Sequence, residues 1–167
     1  MGLYEGPLLR YATRILGSLE RAQEVVQETF FKLWKAHQPD VEPHLAQWLY
    51  TVCRNGALDV YRKEKRMKPL SETMAETLSA VAPAPVEIVG REQQRSHLLQ
   101  LLDGLPEKQQ EVLRLRFQAE LSYKEIAAVT GLSVSNVGFL IHTAVRSLQA
   151  ELKSKQHNVI ALKGGSR

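Results

Sequence analysis

"LSYKEIAAVTGLSVSNVGFLIHTAVRSL", residues 121–148, is the stretch on which the fold turns. It holds two helical segments at the spacing of a helix-turn-helix. Ser122 with Glu125 has the form of a capping box, Gly131 supplies the left-handed residue that ends the first segment, and Ser133 is placed to cap the second. With Val137 as the origin of a helical wheel, Val134, Leu140, Ile141, Ala144, Leu148 and Leu152 fall on one side and form the inner face. Ser135, Asn136, Gly138, Phe139, His142, Thr143, Arg146 and Gln149 lie outside. Phe139 stands nearly opposite Val137 and is expected in water. A Phe there is suited to touch a thymine methyl, while Asn136, Ser135 and Thr143 suit base edges or phosphates. An interface with another protein would use the same ring, so both readings stay open. Only Arg146 carries a fixed charge between Gly131 and Leu148. Duplex binding would therefore lean on backbone amides near Ser133 and on Lys124 of the preceding helix.

Upstream, "LPEKQQEVLRLRFQAEL" places Pro106 at a helix start and gives a broad buried face of Val112, Leu113, Leu115 and Phe117. Residues 91–152 thus read as one helical domain. Before it, residues 67–90 hold three prolines, small side chains and three glutamates, the composition of a flexible linker. Residues 1–66 read as a second helical domain. In its Arg21–His37 segment, Ala22, Val26, Phe30, Leu33 and His37 share one side, and Glu24, Gln27, Glu28, Phe31 and Lys35 point the other way. Pro39 and Pro43 break the helix. In "AQWLYTVCRNGALDVYRKEKR", Leu49, Cys53, Gly56 and Val60 turn inward, whereas Trp48, Asn55, Asp59 and Arg62 form an outer stripe. Trp48 is as well placed to be half core. The expected fold is all-α, two small helical domains joined by a linker, with residues 153–167 as a basic flexible tail.

The 167 residues are 44% hydrophobic, enough for two such domains. The net charge of +4 is compatible with a polyanionic partner, and its distribution says more than its sum. Five of the seven positions from Arg62 to Lys68 are basic. Cys53 is the only cysteine, which excludes an internal disulfide and fits a reducing cytoplasm. No apolar run approaches the roughly 20 residues of a membrane span, and no signal-peptide pattern opens the chain, so a cytoplasmic protein is expected. Glu24 and Glu28 lie one turn apart without HExxH, a phosphate-binding glycine loop or Cys/His metal spacing. Neither an enzyme, a cofactor nor a metal site is expected, and no small-molecule substrate.

"AQEVVQETFFKLWKA", "QWLYTVCRNGALDVYRKEKR" and "LPEKQQEVLRLRFQAELSYKEIAAVTGLSVSNV" stand in an order and spacing that resemble the extracytoplasmic-function sigma factors of bacterial RNA polymerase, in the sigma-70 family. The resemblance implies that the two domains correspond to conserved regions two and four. Its partners would be core RNA polymerase, through the β′ clamp helices and the β flap, promoter DNA, and in some settings an anti-sigma factor. The clamp helices would meet Glu24, Gln27, Glu28, Phe31 and Lys35. The −10 element would meet Trp48, Asn55, Asp59, Arg62, Lys63 and Arg66, with Asn55 helping to hold a flipped base; an amide side chain offers both donor and acceptor to a base edge. The −35 element would meet Lys124, Ser133, Ser135, Asn136, Phe139, His142, Thr143 and Arg146.

The chain also departs from the family. Many members carry several cations on the recognition helix, and the matching positions here hold Gly138, Phe139, Leu140, Thr143 and Val145. Each lost phosphate contact removes about 0.9 from the salt slope, so weak duplex affinity is expected from this domain alone. The segment "HQPDVEPHLAQW" also lacks the aromatic that often precedes the base-capturing helix. Two rival functions remain: a stand-alone helix-turn-helix regulator, which has no need of the N-terminal domain, and a protein-interaction module that binds an inhibitor.

Overall fold

The computed structural model describes residues 2–36, 41–67 and 100–164, with side-chain environments as far as Ser154. The expected linker, from Lys68 on, and the start of the second block at Arg91 lie outside the described residues, as do His37 and Pro39. The fold is all-helical, with no strand among the described residues, and divides into two compact units.

The N-terminal unit is built on α1 (Gly2–Leu16), α2 (Leu19–Lys35) and α3 (Leu45–Met67), each packed on the other two. Ser18 caps α2 with its side chain accepting from the Arg21 amide, and the Ala36 amide closes the far end on the carbonyls of Lys32 and Leu33. A 3-10 turn at Glu42–His44 leads into α3. The core gathers Leu8, Ala12, Ala22, Val26, Leu49 and Cys53, and the rings of Tyr11 and Tyr50 meet edge to face at 5.2 Å. Thr29 is the one buried polar side chain among the described residues; its hydroxyl donates to the Val25 carbonyl at 2.8 Å, which removes the cost of burying it. A Cβ on Gly56 would stand 3.3 Å from Val25 Cγ1, so the missing side chain is what lets α3 approach α2 so closely. Across the surface, Arg21 pairs with Glu64.

The C-terminal helices are α4 (Glu107–Phe117), α5 (Tyr123–Thr130) and α6 (Val134–Gly164). Pro106 stands at the N-cap of α4. Val112, Leu113 and Leu115 are buried as the sequence predicts, but Phe117 is 67% exposed. It is the last residue of its helix, and the chain turns away behind it through Glu120 at φ 56, in the left-handed region. Arg114, mostly buried, reaches Asp103 at 3.3 Å and Gln110 at 3.0 Å.

The capping box of α5 forms in both directions. The Ser122 amide donates to Glu125 Oε2 at 2.8 Å, and the Glu125 amide donates to Ser122 Oγ at 3.3 Å. Gly131 ends the helix at φ 75, a conformation that a Cβ would strain. Ser133 Oγ then accepts from the Asn136 amide at 3.1 Å and starts α6. The axes of Tyr123–Thr130 and Val134–Ser154 differ by 105°, inside the range of about 90–120° of a helix-turn-helix.

Along α6, Val137, Ile141 and Ala144 are buried and Leu140 and Leu148 half-buried, but Val134 and Leu152 are exposed. A wheel gives the direction of a side chain, not whether a neighbour extends far enough to cover it, and these two lie at the ends of the buried run. The helix also continues to Gly164 instead of giving way at Lys153 to the expected tail. No single helix among the described residues is long and apolar enough to cross a membrane.

Candidate functional site

On α2 the phase that buries Ala22, Val25, Val26, Thr29 and Leu33 turns Glu24, Gln27, Glu28, Phe31 and Lys35 outward, and all five are exposed. Phe30, expected inside, is half-buried. Phe31 is 47% exposed, and Trp34 beside it 72%. The two rings stack with centroids 6.3 Å apart, and Lys35 Nζ lies 4.1 Å from the Phe31 centroid. Lys32 reaches Glu28 at 3.8 Å on the same surface. Two large aromatics held in water and rimmed by charged groups are what a protein-binding hot spot consists of before its partner arrives. Trp34 was not among the residues picked out from the sequence. The signal was present in its spacing, since i and i+3 are neighbours on a helix.

On α3, Leu49 and Cys53 are fully buried and Val60 half-buried. Burial pushes the Cys53 thiol up to about 12, with the neighbouring Thr29 side chain opposing, so it offers no nucleophile near neutral pH. Trp48 is half-buried, while Asn55, Asp59, Arg62, Lys63 and Arg66 are exposed. Arg62 sits 3.5 Å from Asp59, a surface pair that sets the guanidinium beside the Asn55 stripe at little gain in stability. Tyr61, which sequence reasoning passed over, is exposed with Lys65 Nζ 6.0 Å from its ring. An aromatic among cations can stack a base while the cations hold phosphates.

In the helix-turn-helix, Lys124, Ser133, Ser135, Asn136, His142 and Arg146 are exposed and Thr143 half-buried. Phe139 is 66% exposed, as its phase predicts. Two further residues join this edge. The Tyr123 ring lies 3.6 Å from where a Cβ of Gly138 would be, and the Arg116 guanidinium sits 5.7 Å from the same ring. Arg116 also donates to the Leu121 carbonyl at 3.0 Å, which fixes it beside the turn. This contact joins α4 to α5, and no spacing within one helix foretells it. No group of three or more His, Cys, Asp or Glu side chains able to hold a metal occurs among the described residues.

The same two blocks match known families. Residues 2–67 match sigma-70 region 2, and residues 95–148 match sigma-70 region 4. The chain is 29% identical to the RNA polymerase sigma factor YlaC of Bacillus subtilis, over 94% of this chain and 92% of that one. It is 31% identical to the ECF RNA polymerase sigma factor EcfG of Rhodopseudomonas palustris, over 87% of this chain and 80% of the other. Among solved structures it resembles the sigma factor RpoE from Bartonella quintana in complex with the anti-sigma factor NepR, with a TM-score of 0.67 and 25% identity over 90% of this chain and 92% of that one. Two sigma regions in order, full-length likeness to named sigma factors and the same helical fold have one explanation: the chain belongs to the sigma-70 family, as an extracytoplasmic-function sigma factor of RNA polymerase, and acts in transcription initiation.

Proposed function

We propose that the chain works in the bacterial cytoplasm, where it binds core RNA polymerase and carries it to promoters through three separate surfaces. The outward side of α2, with Glu24, Gln27, Glu28, Phe31 and Lys35 and with Trp34 added, docks on the β′ clamp helices. The outer stripe of α3, with Trp48, Asn55, Asp59, Arg62, Lys63 and Arg66, captures the −10 element. The outer side of α6, with Ser133, Ser135, Asn136, Phe139, His142, Thr143 and Arg146, and Lys124 of α5, reads the −35 element, and the C-terminal helices also meet the β flap. Residues 1–66 and 91–152 are then the two working domains, with residues 67–90 spanning between them and 153–167 as a basic extension. The chain breaks and makes no bond of its own. It supplies binding energy, and the polymerase supplies the chemistry.

The observation that carries this reading is the exposed Phe31–Trp34 stack. A regulator that acts by occupying duplex DNA has no use for it, whereas a subunit of a larger assembly does. In the opening step, melted bases of the non-template strand pass α3, where the Asn55 amide can satisfy a flipped base and the cations follow its backbone. Because the solved sigma factor RpoE is in complex with the anti-sigma factor NepR, an anti-sigma protein covering these surfaces is the proposed means of control. Run-off transcription with purified core polymerase on a genomic promoter library tests the function. Promoter-specific transcripts that require the chain are expected; no transcripts, and no retention of core polymerase, would leave the rival readings.

A further inference from the structure

We propose that Phe139 determines promoter specificity by seating the 5-methyl group of a thymine in the −35 element against its ring, an inference that rests on α6 being the promoter-facing helix. The ring is 66% exposed at the middle of the outer side. Ser135 and Asn136 precede it by one turn, and His142 and Thr143 follow it by one turn. It lies outside the buried core, since the inner face of the same helix is filled by Val137, Ile141 and Ala144.

Charge points to the class of partner. From Gly131 to Ala150 there is no carboxylate. Arg146 and Lys124 are exposed, and Arg116 is held beside Tyr123 at the Gly138 flank. An apolar centre on a helix face free of carboxylates, with Lys124, Arg116 and Arg146 at its margins and Glu125 turned to the Ser122 cap, accepts a polyanion that itself carries an apolar group. On the base edges of the major groove only thymine has such a group. A phenyl ring has neither donor nor acceptor, so the methyl is the one feature by which it tells bases apart. This also accounts for the scarcity of cations on the helix: selectivity comes from shape and desolvation, while the polymerase keeps the contact in place.

The test replaces thymine with deoxyuridine, which removes the methyl and nothing else. Holoenzyme first selects from a promoter library randomised at −35, and each thymine of the selected element, on either strand, is then replaced singly by deoxyuridine. At one thymine, open-complex occupancy by the parent holoenzyme is expected to fall about fourfold, the ratio that losing one buried methyl group gives. Phe139→Ser holoenzyme is expected to occupy both templates equally, and Phe139→Leu to keep part of the preference. Both variants should melt within about a degree or two of the parent, since the ring lies outside the buried core. Preference at −35 with no thymine sensitive to its methyl overturns the proposal and leaves the promoter-facing reading intact. So does Phe139→Ser losing core polymerase with its −35 preference unchanged, which would make the ring a protein-docking residue. Absence of any −35 preference in the parent would overturn the promoter-facing reading itself.

Discussion

Trp34 and Phe31 stack on the outer side of α2, opposite the buried face, so removing either should disturb binding more than folding. Trp34→Ala and Phe31→Ala are each expected to weaken core-polymerase binding by about 1 to 3 kcal/mol with helicity unchanged. Titration calorimetry with core enzyme, alongside far-ultraviolet dichroism, checks both halves; a cooperative loss of helix in Phe31→Ala would mean that the ring is part of the core. Cys53 behaves in the opposite way. Burial raises its thiol from the ordinary 9.0 to about 12, and raises Tyr50 from 10.0 to about 12 with Arg10 opposing. A group whose folded value is raised contributes stability that is whole below its unfolded value and is lost as pH rises through the folded one. Urea midpoints should therefore stay level up to about pH 9 and fall between there and pH 12. Cys53→Val should make that fall shallower, and an unchanged slope would show that the thiol takes no part in it. Iodoacetamide at pH 8 should label Cys53 only as fast as the N-terminal helices open.

At the scale of elements, helix starts and phases were the legible part of the sequence. Ser122 with Glu125, Gly131 and Ser133 do in the fold what their local chemistry dictates, because a cap depends on residues within four positions of each other. Ser122→Ala should accordingly cost about 1 kcal/mol, lowering the urea midpoint of the C-terminal helices and leaving that of the N-terminal ones unchanged. The outward stripe of α3 was legible for the same reason, and it carries a separate prediction. Asn55→Ala should bind core polymerase normally but form fewer open complexes, with only partial recovery on a template already melted at −10; parental activity on intact duplex would remove Asn55 from the site. Phe117, Val134 and Leu152 were not legible, since their exposure depends on where neighbouring helices end. Neither was the Arg116–Tyr123 contact, which joins two helices. The course of α6 to Gly164 was missed because its composition, with Gly-Gly near the end, reads as a tail.

At the scale of the whole molecule, the three proposed surfaces, each weak or moderate alone, are expected to act together only once polymerase holds them. The free chain is expected to bind a −35 duplex no better than about micromolar in physiological salt, since α6 neutralises few phosphates and so releases few counterions, whereas holoenzyme is expected to discriminate −35 sequences clearly because tethering raises the effective concentration. Anisotropy titrations of labelled duplex with and without core enzyme would show this, and nanomolar binding by the free chain would contradict it. The exposed outer face of α6 has a consequence over longer times. Substitutions at positions that pack on nothing usually change stability by less than about 0.5 kcal/mol, so Ser135, Asn136, Phe139, His142 and Arg146 can vary with little risk to the fold. After a gene duplication, one copy could drift toward a new regulon through single steps at this face while Val137, Ile141 and Ala144 beneath it, and the proposed polymerase contact on α2, stay under their old selection.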